Sequence, residues 1–204
     1  DRLIMVDNKG EVVDGDELLY VIARSRQAQG SLNGGVVGTL MSNFGMEKAL
    51  QTQKIPFKRA KVGDRYVMEM LKENDWFLGG ESSGHIICLD RTTTGDGLAS
   101  SLQVVAAMIE SGRNLHELKS GMRKYPQSMI NVRVAKKPNL NKQAIKDAVS
   151  AIETKLGDNG RVLLRPSGTE PLVRVMIEGN DAMEVDQLTK ELAEQVEALL
   201  KKSG

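Results

Sequence analysis

Arg165-Pro166-Ser167-Gly168-Thr169-Glu170-Pro171 brings a guanidinium, two hydroxyls and a permissive glycine into one short stretch. That is anion chemistry. An arginine grips a phosphate through two parallel N–H donors, serine and threonine hydroxyls donate to further oxygens, and amides around a glycine converge on the same charge. Arg174, three residues past the loop, adds a second positive charge. No lysine follows a glycine-rich run and no helix pattern begins there, so the segment is not a nucleotide P-loop. The plain alternative is a polar hairpin that happens to carry an arginine.

Gly80-Glu81-Ser82-Ser83-Gly84-His85 is the second candidate. Read as Gly-x-Ser-x-Gly it would make Ser82 the nucleophile of a hydrolase, but that elbow needs a strand-to-helix turn, and the following His85-Ile86-Ile87-Cys88-Leu89 reads as a strand. The reading we prefer is a ligand loop. A carboxylate, hydroxyls and an imidazole within a few residues supply both donors and acceptors for sugar hydroxyls, and the alternative is a polar turn facing solvent. Lys61-Val62-Gly63-Asp64-Arg65 ends a strand and opens a helix, where free amides favour anions, with Asp64 as an ordinary cap. Thr92-Thr93-Thr94-Gly95-Asp96-Gly97 reads as a loop with a helix cap. Gly34-Gly35-Val36-Val37-Gly38 lacks the rest of a dinucleotide fingerprint, and Cys88 and His116 read as packing residues.

The elements that must hold these residues follow from periodicity. Leu3 to Asp7 and Glu11 to Asp14 form a hairpin about Asn8-Lys9-Gly10, and Asp14 with Glu17 has capping-box spacing before a helix that stops at Gly30. Strand and helix then alternate: Val36-Val37, Asn43 to Lys54, Pro56 to Lys61, Asp64 to Asn74. Strands at Trp76 to Gly79 and His85 to Leu89 bracket the second motif, and helices follow at Gly97 to Ser111 and Asn114 to Met122. Near Tyr125-Pro126 the alternation ends. Strand (Ser128 to Val134), helix (Asn141 to Leu156), strands (Arg161 to Leu164, Leu172 to Glu178) and helix (Asp181 to Lys201) complete the chain, with Val185, Leu188, Leu192, Val196 and Leu199 on one stripe of the last. The expected fold is an α/β domain with a mixed sheet and helices on both faces over residues 14–124. A small α+β domain with an antiparallel sheet follows over 125–204.

Composition narrows the partners. Of 204 residues 40% are hydrophobic and 27% charged, enough for a true core. Lys and Arg number 28 against 27 Asp and Glu, and only 3% of residues are aromatic, which argues against nucleic acid and against a membrane surface. One cysteine and two histidines make neither a disulfide nor a structural zinc site, and no apolar run approaches a spanning helix; a cytoplasmic location is expected. The sequence opens on Asp1 and goes straight into an apolar run, which reads as a piece of a longer protein.

The two motifs in this order resemble those of the α-D-phosphohexomutase family. Gly38-Thr39-Leu40-Met41-Ser42-Asn43, Lys61-Val62-Gly63-Asp64-Arg65-Tyr66-Val67 and Thr92-Thr93-Thr94-Gly95-Asp96-Gly97 narrow the resemblance to its bacterial phosphoglucosamine mutase branch. The likeness runs from Asp1 to about Gly179 and covers the third and fourth of the family's four domains. It implies sugar contacts from Glu81, Ser83, His85 and Lys61, and phosphate contacts from Arg165, Ser167, Gly168, Thr169 and Arg174. It implies interconversion of glucosamine 6-phosphate and glucosamine 1-phosphate through a phosphoserine and a bisphosphate, with a phosphoglucomutase or phosphomannomutase as the alternative. The phosphoserine has no counterpart here, so this chain alone is expected to bind hexosamine phosphate without turning it over. The family's metal loop, Asp-x-Asp-x-Asp-Arg, resembles Asp1-Arg2 in its last two residues. That makes Asp1 the last ligand of a truncated Mg²⁺ loop and Arg2 a candidate catalytic group, with the metal expected in the parent enzyme and not on this chain. Residues 1–13 would be the last hairpin of a preceding domain, expected to pack on the missing N-terminal domains, on a neighbouring molecule in a homodimer, or as a swapped hairpin.

Overall fold

The computed structural model describes residues 1–134, 138–167 and 170–201, which divide between two units, Asp1–Lys124 and Tyr125–Gly204. In the first, a hairpin of β1 (Met5–Val6) and β2 (Val12–Val13) leads into α1 (Gly15–Ala28). Asp14 accepts from the amides of Asp16 and Glu17 while Glu17 accepts from the Asp14 amide, the reciprocal cap that their spacing predicts. β3 (Val36–Thr39), α2 (Phe44–Thr52), β4 (Phe57–Ala60), α3 (Asp64–Asn74), β5 (Leu78–Gly80), β6 (Ile86–Cys88), α4 (Gly97–Ser111) and α5 (Leu115–Lys119) follow.

The sheet runs β4-β3-β5-β6, with β3 parallel to β4 and β5 and β6 returning antiparallel to β5. Successive strand residues face opposite sides. Val36 therefore joins Leu18, Leu19 and Ile22 of α1 in one core, while Val37 joins Val67 and Leu71 of α3 in another. Helices cover both faces of a mixed sheet, as the alternation predicts. Each of these fully buried side chains contributes about 1.5–3 kcal/mol.

The second unit holds β7 (Gln127–Arg133), α6 (Gln143–Leu156), a 3₁₀ turn (Gly157–Asn159), β8 (Gly160–Pro166), β9 (Leu172–Gly179) and α7 (Ala182–Lys201). Its antiparallel sheet is ordered β7-β9-β8. Val173, Val175 and Ile177 pack on Ile152 and Leu156 of α6 and on the α7 stripe of Val185, Leu188, Leu192 and Val196. By alternation Arg174 lies on the other face of β9.

Three local readings need correction. β8 extends through Pro166 rather than ending at Leu164, so Arg165 is a strand residue; Pro166 is tolerated because β8 is an edge strand. α5 stops at Lys119, short of Met122. His116 is not a packing residue: its Nδ1 lies 3.0 Å from Oδ2 of buried Asp7, and the Lys119 ammonium lies 3.1 Å from the same oxygen. That ion cluster holds the opening hairpin on α5 of its own chain, while Met5 and Val13 turn into the core and Ile4, Val6 and Val12 stay exposed. Among the described residues no helix is long and apolar enough to cross a membrane.

Candidate functional site

Residues 81–84 form the turn of the β5–β6 hairpin, and its backbone is closed almost entirely by its own unit. The Glu81 amide donates to the His85 carbonyl at 3.1 Å, and the Gly84 amide donates to the Glu81 carbonyl at 2.9 Å. From outside, the Gly15 amide donates to the Ser82 carbonyl and the Leu3 amide to the Gly84 carbonyl, each at 3.0 Å. Gly84 has φ near +90°, and a β-carbon there would meet the Leu3 carbonyl oxygen at 2.1 Å, so no other residue fits. A strand–turn–strand path is not a nucleophile elbow, which removes the hydrolase reading of Ser82.

The side chains of this turn are held as firmly. Glu81 Oε1 accepts from the Gly63 amide at 3.1 Å, tying this turn to the start of α3. His85 is 5% exposed, with Nδ1 at 3.5 Å from Asp1 Oδ2 and Nε2 at 3.8 Å from Asp64 Oδ2. The second distance is too long for a hydrogen bond, and Nε2 has no hydrogen-bond partner among the described residues. Asp64 is not the α3 cap: Gly63 holds that position at φ 124°, and Asp64 stands one residue into the helix, its Oδ1 accepting from the Arg65 amide at 2.7 Å. Its other oxygen is left facing the imidazole, which the sequence pattern of a helix start did not signal. Ser83 is exposed, as is Lys61, whose ammonium sits 5.5 Å from the centre of the Tyr66 ring. The loop before α4 ends in a true cap, Asp96 Oδ1 accepting from the amides of Leu98 and Ala99.

Asp1 and Arg2 are exposed, their side chains 3.4 Å apart. Asp1 presents one carboxylate, turned toward an imidazole and a guanidinium, whereas Mg²⁺ asks for near-octahedral oxygen. The residues present do not make a magnesium cradle. The one trio of metal-competent groups among the described residues is Asp7, Glu11 and His116, and the Lys119 ammonium lies inside it, 2.7 Å from Glu11 Oε2.

In the second unit the register places Arg165 of β8 directly opposite Arg174 of β9, with Asn131 of β7 next in the row. Both guanidiniums are half-buried and both Nε atoms are buried without an acceptor among the described residues. Burial pushes the Arg165 pKa down, and the neighbouring Arg174 charge pushes it further the same way. Ser167 closes the strand end, its amide donating to the Leu172 carbonyl at 2.9 Å and its Oγ accepting from the Glu170 amide at 3.3 Å. Gly168 and Thr169 lie outside the described residues. Two like charges with idle, dehydrated donors form a site whose natural complement is an anion.

Both units match models of known protein families. Residues 14–125 match a family model described as phosphoglucomutase/phosphomannomutase, alpha/beta/alpha domain III, and residues 129–195 match phosphoglucomutase/phosphomannomutase, C-terminal domain. A phosphoglucosamine mutase of Nitrosococcus oceani is 61% identical over 197 residues, covering 96% of this chain and 44% of the relative. Another, of Methylococcus capsulatus, is 62% identical over 194 residues, covering 95% and 43%. The chain thus spans less than half the length of the curated relatives it matches. Among solved structures, N-acetylglucosamine-phosphate mutase in its substrate complex superposes with a TM-score of 0.78 at 23% identity, covering 96% of this chain and 47% of that one. The Aspergillus fumigatus N-acetylphosphoglucosamine mutase with GlcNAc-6P and magnesium also gives 0.78, at 20% identity, with 97% and 46% covered. At such identities these two establish the fold.

Proposed function

This chain belongs to the phosphoglucomutase/phosphomannomutase family, and from that premise we propose that it is the sugar-reading and phosphate-holding part of an enzyme interconverting glucosamine 6-phosphate and glucosamine 1-phosphate. The observation that carries the reading is the Arg165–Arg174 pair, two guanidiniums opposed across a strand pair with no acceptor of their own among the described residues. The relatives above 60% identity that bear the phosphoglucosamine mutase name favour an amino sugar over the glucose and mannose phosphates of the wider family.

Phosphoryl transfer in such a reaction runs between a phosphoserine and either end of the sugar, so the protein must hold the phosphate that is not reacting. Arg165 and Arg174 supply charge and paired donors for it, Ser167 a hydroxyl, and Gly168 and Thr169 the remainder of the loop. Glu81, Ser83, His85 and Lys61 take the sugar hydroxyls, with Glu81 preset by the Gly63 amide. Arg2 stands beside Asp1 as the candidate catalytic group of this chain. Magnesium, present in the Aspergillus fumigatus complex, would take its ligands from groups beyond these residues. The 204-residue chain by itself binds hexosamine phosphate and does not turn it over.

The same reading extends to partners and setting. The exposed outer face of the hairpin, Ile4, Val6 and Val12, is what the family's preceding domains or a second copy would cover. A cytoplasmic setting suits Cys88, which is buried and whose thiol pKa burial pushes up. Titration calorimetry of the chain with glucosamine 6-phosphate, glucose 6-phosphate and inorganic phosphate tests the proposal. Saturable binding of the amino-sugar phosphate, tighter than phosphate alone and weakened more by Arg165→Ala than by Thr169→Ala, is expected. Binding no tighter than phosphate, or equal losses in the two variants, overturns it.

A further inference from the structure

The Thr92–Gly97 loop caps α4 through Asp96, and its Gly95 is buried directly against the sugar motif. Gly95 forms an isolated antiparallel bridge with Ile87, and the Asp96 amide donates to the Ile86 carbonyl at 3.3 Å. A β-carbon built on Gly95 would lie 2.2 Å from Nε2 of His85, 2.5 Å from Cε1 and 2.7 Å from Cδ2. Nothing else comes as near. Unlike Gly84, Gly95 has no positive φ, and the three atoms that a β-carbon there would meet first all belong to the imidazole.

We propose that Gly95 is a positioning residue of the sugar site: the missing side chain is the space in which the His85 imidazole is held. Asp1 stands at Nδ1 of the ring and Asp64 toward Nε2. Asp96, fixed to the first turn of α4 through the amides of Leu98 and Ala99, keeps the loop from retreating. A methyl at position 95 must therefore move the ring rather than the loop. Nε2, buried and without a hydrogen-bond partner among the described residues, is the donor or acceptor that a correctly seated ring offers. The substrate in this inference rests on the function proposed above; the seating of the ring does not.

The experiment is a double-mutant cycle on the 204-residue chain with Gly95→Ala, His85→Ala and both together. Two readouts are taken: the His85 imidazole signals in long-range ¹H–¹⁵N spectra, and affinity for glucosamine 6-phosphate against inorganic phosphate. Gly95→Ala is expected to shift the imidazole signals and to cost about tenfold of the preference for the sugar phosphate, leaving phosphate affinity unchanged. In the His85→Ala background it is expected to cost nothing more. Unmoved imidazole signals, or an equal loss with and without His85, overturn the proposal. A Gly95→Ala chain that fails to fold supports it if His85→Ala restores folding and overturns it if not. A wild-type chain with no preference for the sugar phosphate defeats the functional reading instead, and the spectra still decide the role of Gly95.

Discussion

The two ends of the β8–β9 ribbon carry arginine on one strand and opposite choices on the other. At one end Arg161 of β8 faces Glu178 of β9 and the two form a buried ion pair; at the other Arg165 faces Arg174. Opposite charges directly across a strand pair stabilise it, and like charges in the same place destabilise it. The same backbone geometry thus serves folding at one end and works against it at the other, beside the loop that carries Ser167. A cost of that kind persists where something beyond folding needs it, and a bound phosphate would turn the repulsion into a two-armed grip.

Making the loop end resemble the other is the strongest way to break this contrast. Arg174→Glu gives Arg165 a carboxylate partner; phosphate affinity is expected to fall by about 100-fold or more, while the melting temperature holds or rises. Calorimetry and a thermal melt on one preparation check both. Retained phosphate binding, or a lower melting temperature, would mean that the arginine pair is neither the anion site nor a strained element. The converse change, Glu178→Ala, removes the carboxylate on which the mostly buried Arg161 leans. It is expected to destabilise the chain by about 3 kcal/mol and to leave phosphate affinity as it was.

The reach of sequence reasoning differs between the two ends for the same reason. The Arg165–Pro171 segment announces its chemistry by composition, and the Asp14–Glu17 cap and the α7 stripe announce theirs by spacing. The opposition of Arg165 to Arg174 depends on strand register, fixed only once β8 runs on through Pro166. Asp64 looked like a cap because a carboxylate at a helix start usually is one, but Gly63 takes that position and frees the carboxylate toward His85. His116 looked like packing because its partner, Asp7, lies far away in sequence. Gly95 gave no signal beyond being a glycine in a loop, since its need for space comes from a ring the chain reaches by another path.

The first unit offers a charge of a third kind, a carboxylate buried with too little company. Asp16 is 1% exposed; Oδ2 accepts from the Asn43 amide at 2.7 Å, while Oδ1 has no hydrogen-bond partner among the described residues. Burial chiefly, helped by the Asp14 charge and opposed by the Asn43 amide, raises its pKa to about 7 from an ordinary 3.8. In the unfolded chain this carboxyl ionises from about pH 4, and in the folded chain only near pH 7. Between those values the native state binds more protons, so stability falls as pH rises through the window and is level above it. Asp16→Asn should erase that slope, matching wild type near pH 4 and exceeding it in melting temperature at pH 8. Parallel pH profiles for the two chains would show that Asp16 is ionised throughout.

The smallest expected effect tests whether an ion pair can hold one element without holding the unit. Burial would raise the Asp7 carboxyl, but the Glu11 amide, His116, the Lys9 amide and Lys119 outweigh it, so its pKa lies well below the ordinary range. Its contribution is therefore present at neutral pH and lost only as the solution becomes strongly acidic. These contacts join β1–β2 to α5 and to nothing in the sheet beyond, so Asp7→Asn is expected to loosen the hairpin locally. Amide exchange at Met5–Val6 and Val12–Val13 should quicken about tenfold, with β8 and β9 unchanged. An equal acceleration across the first unit would mean that the hairpin is part of its cooperative core, and its exposed outer face would then belong to a fixed surface rather than to an arm free to pair with another molecule.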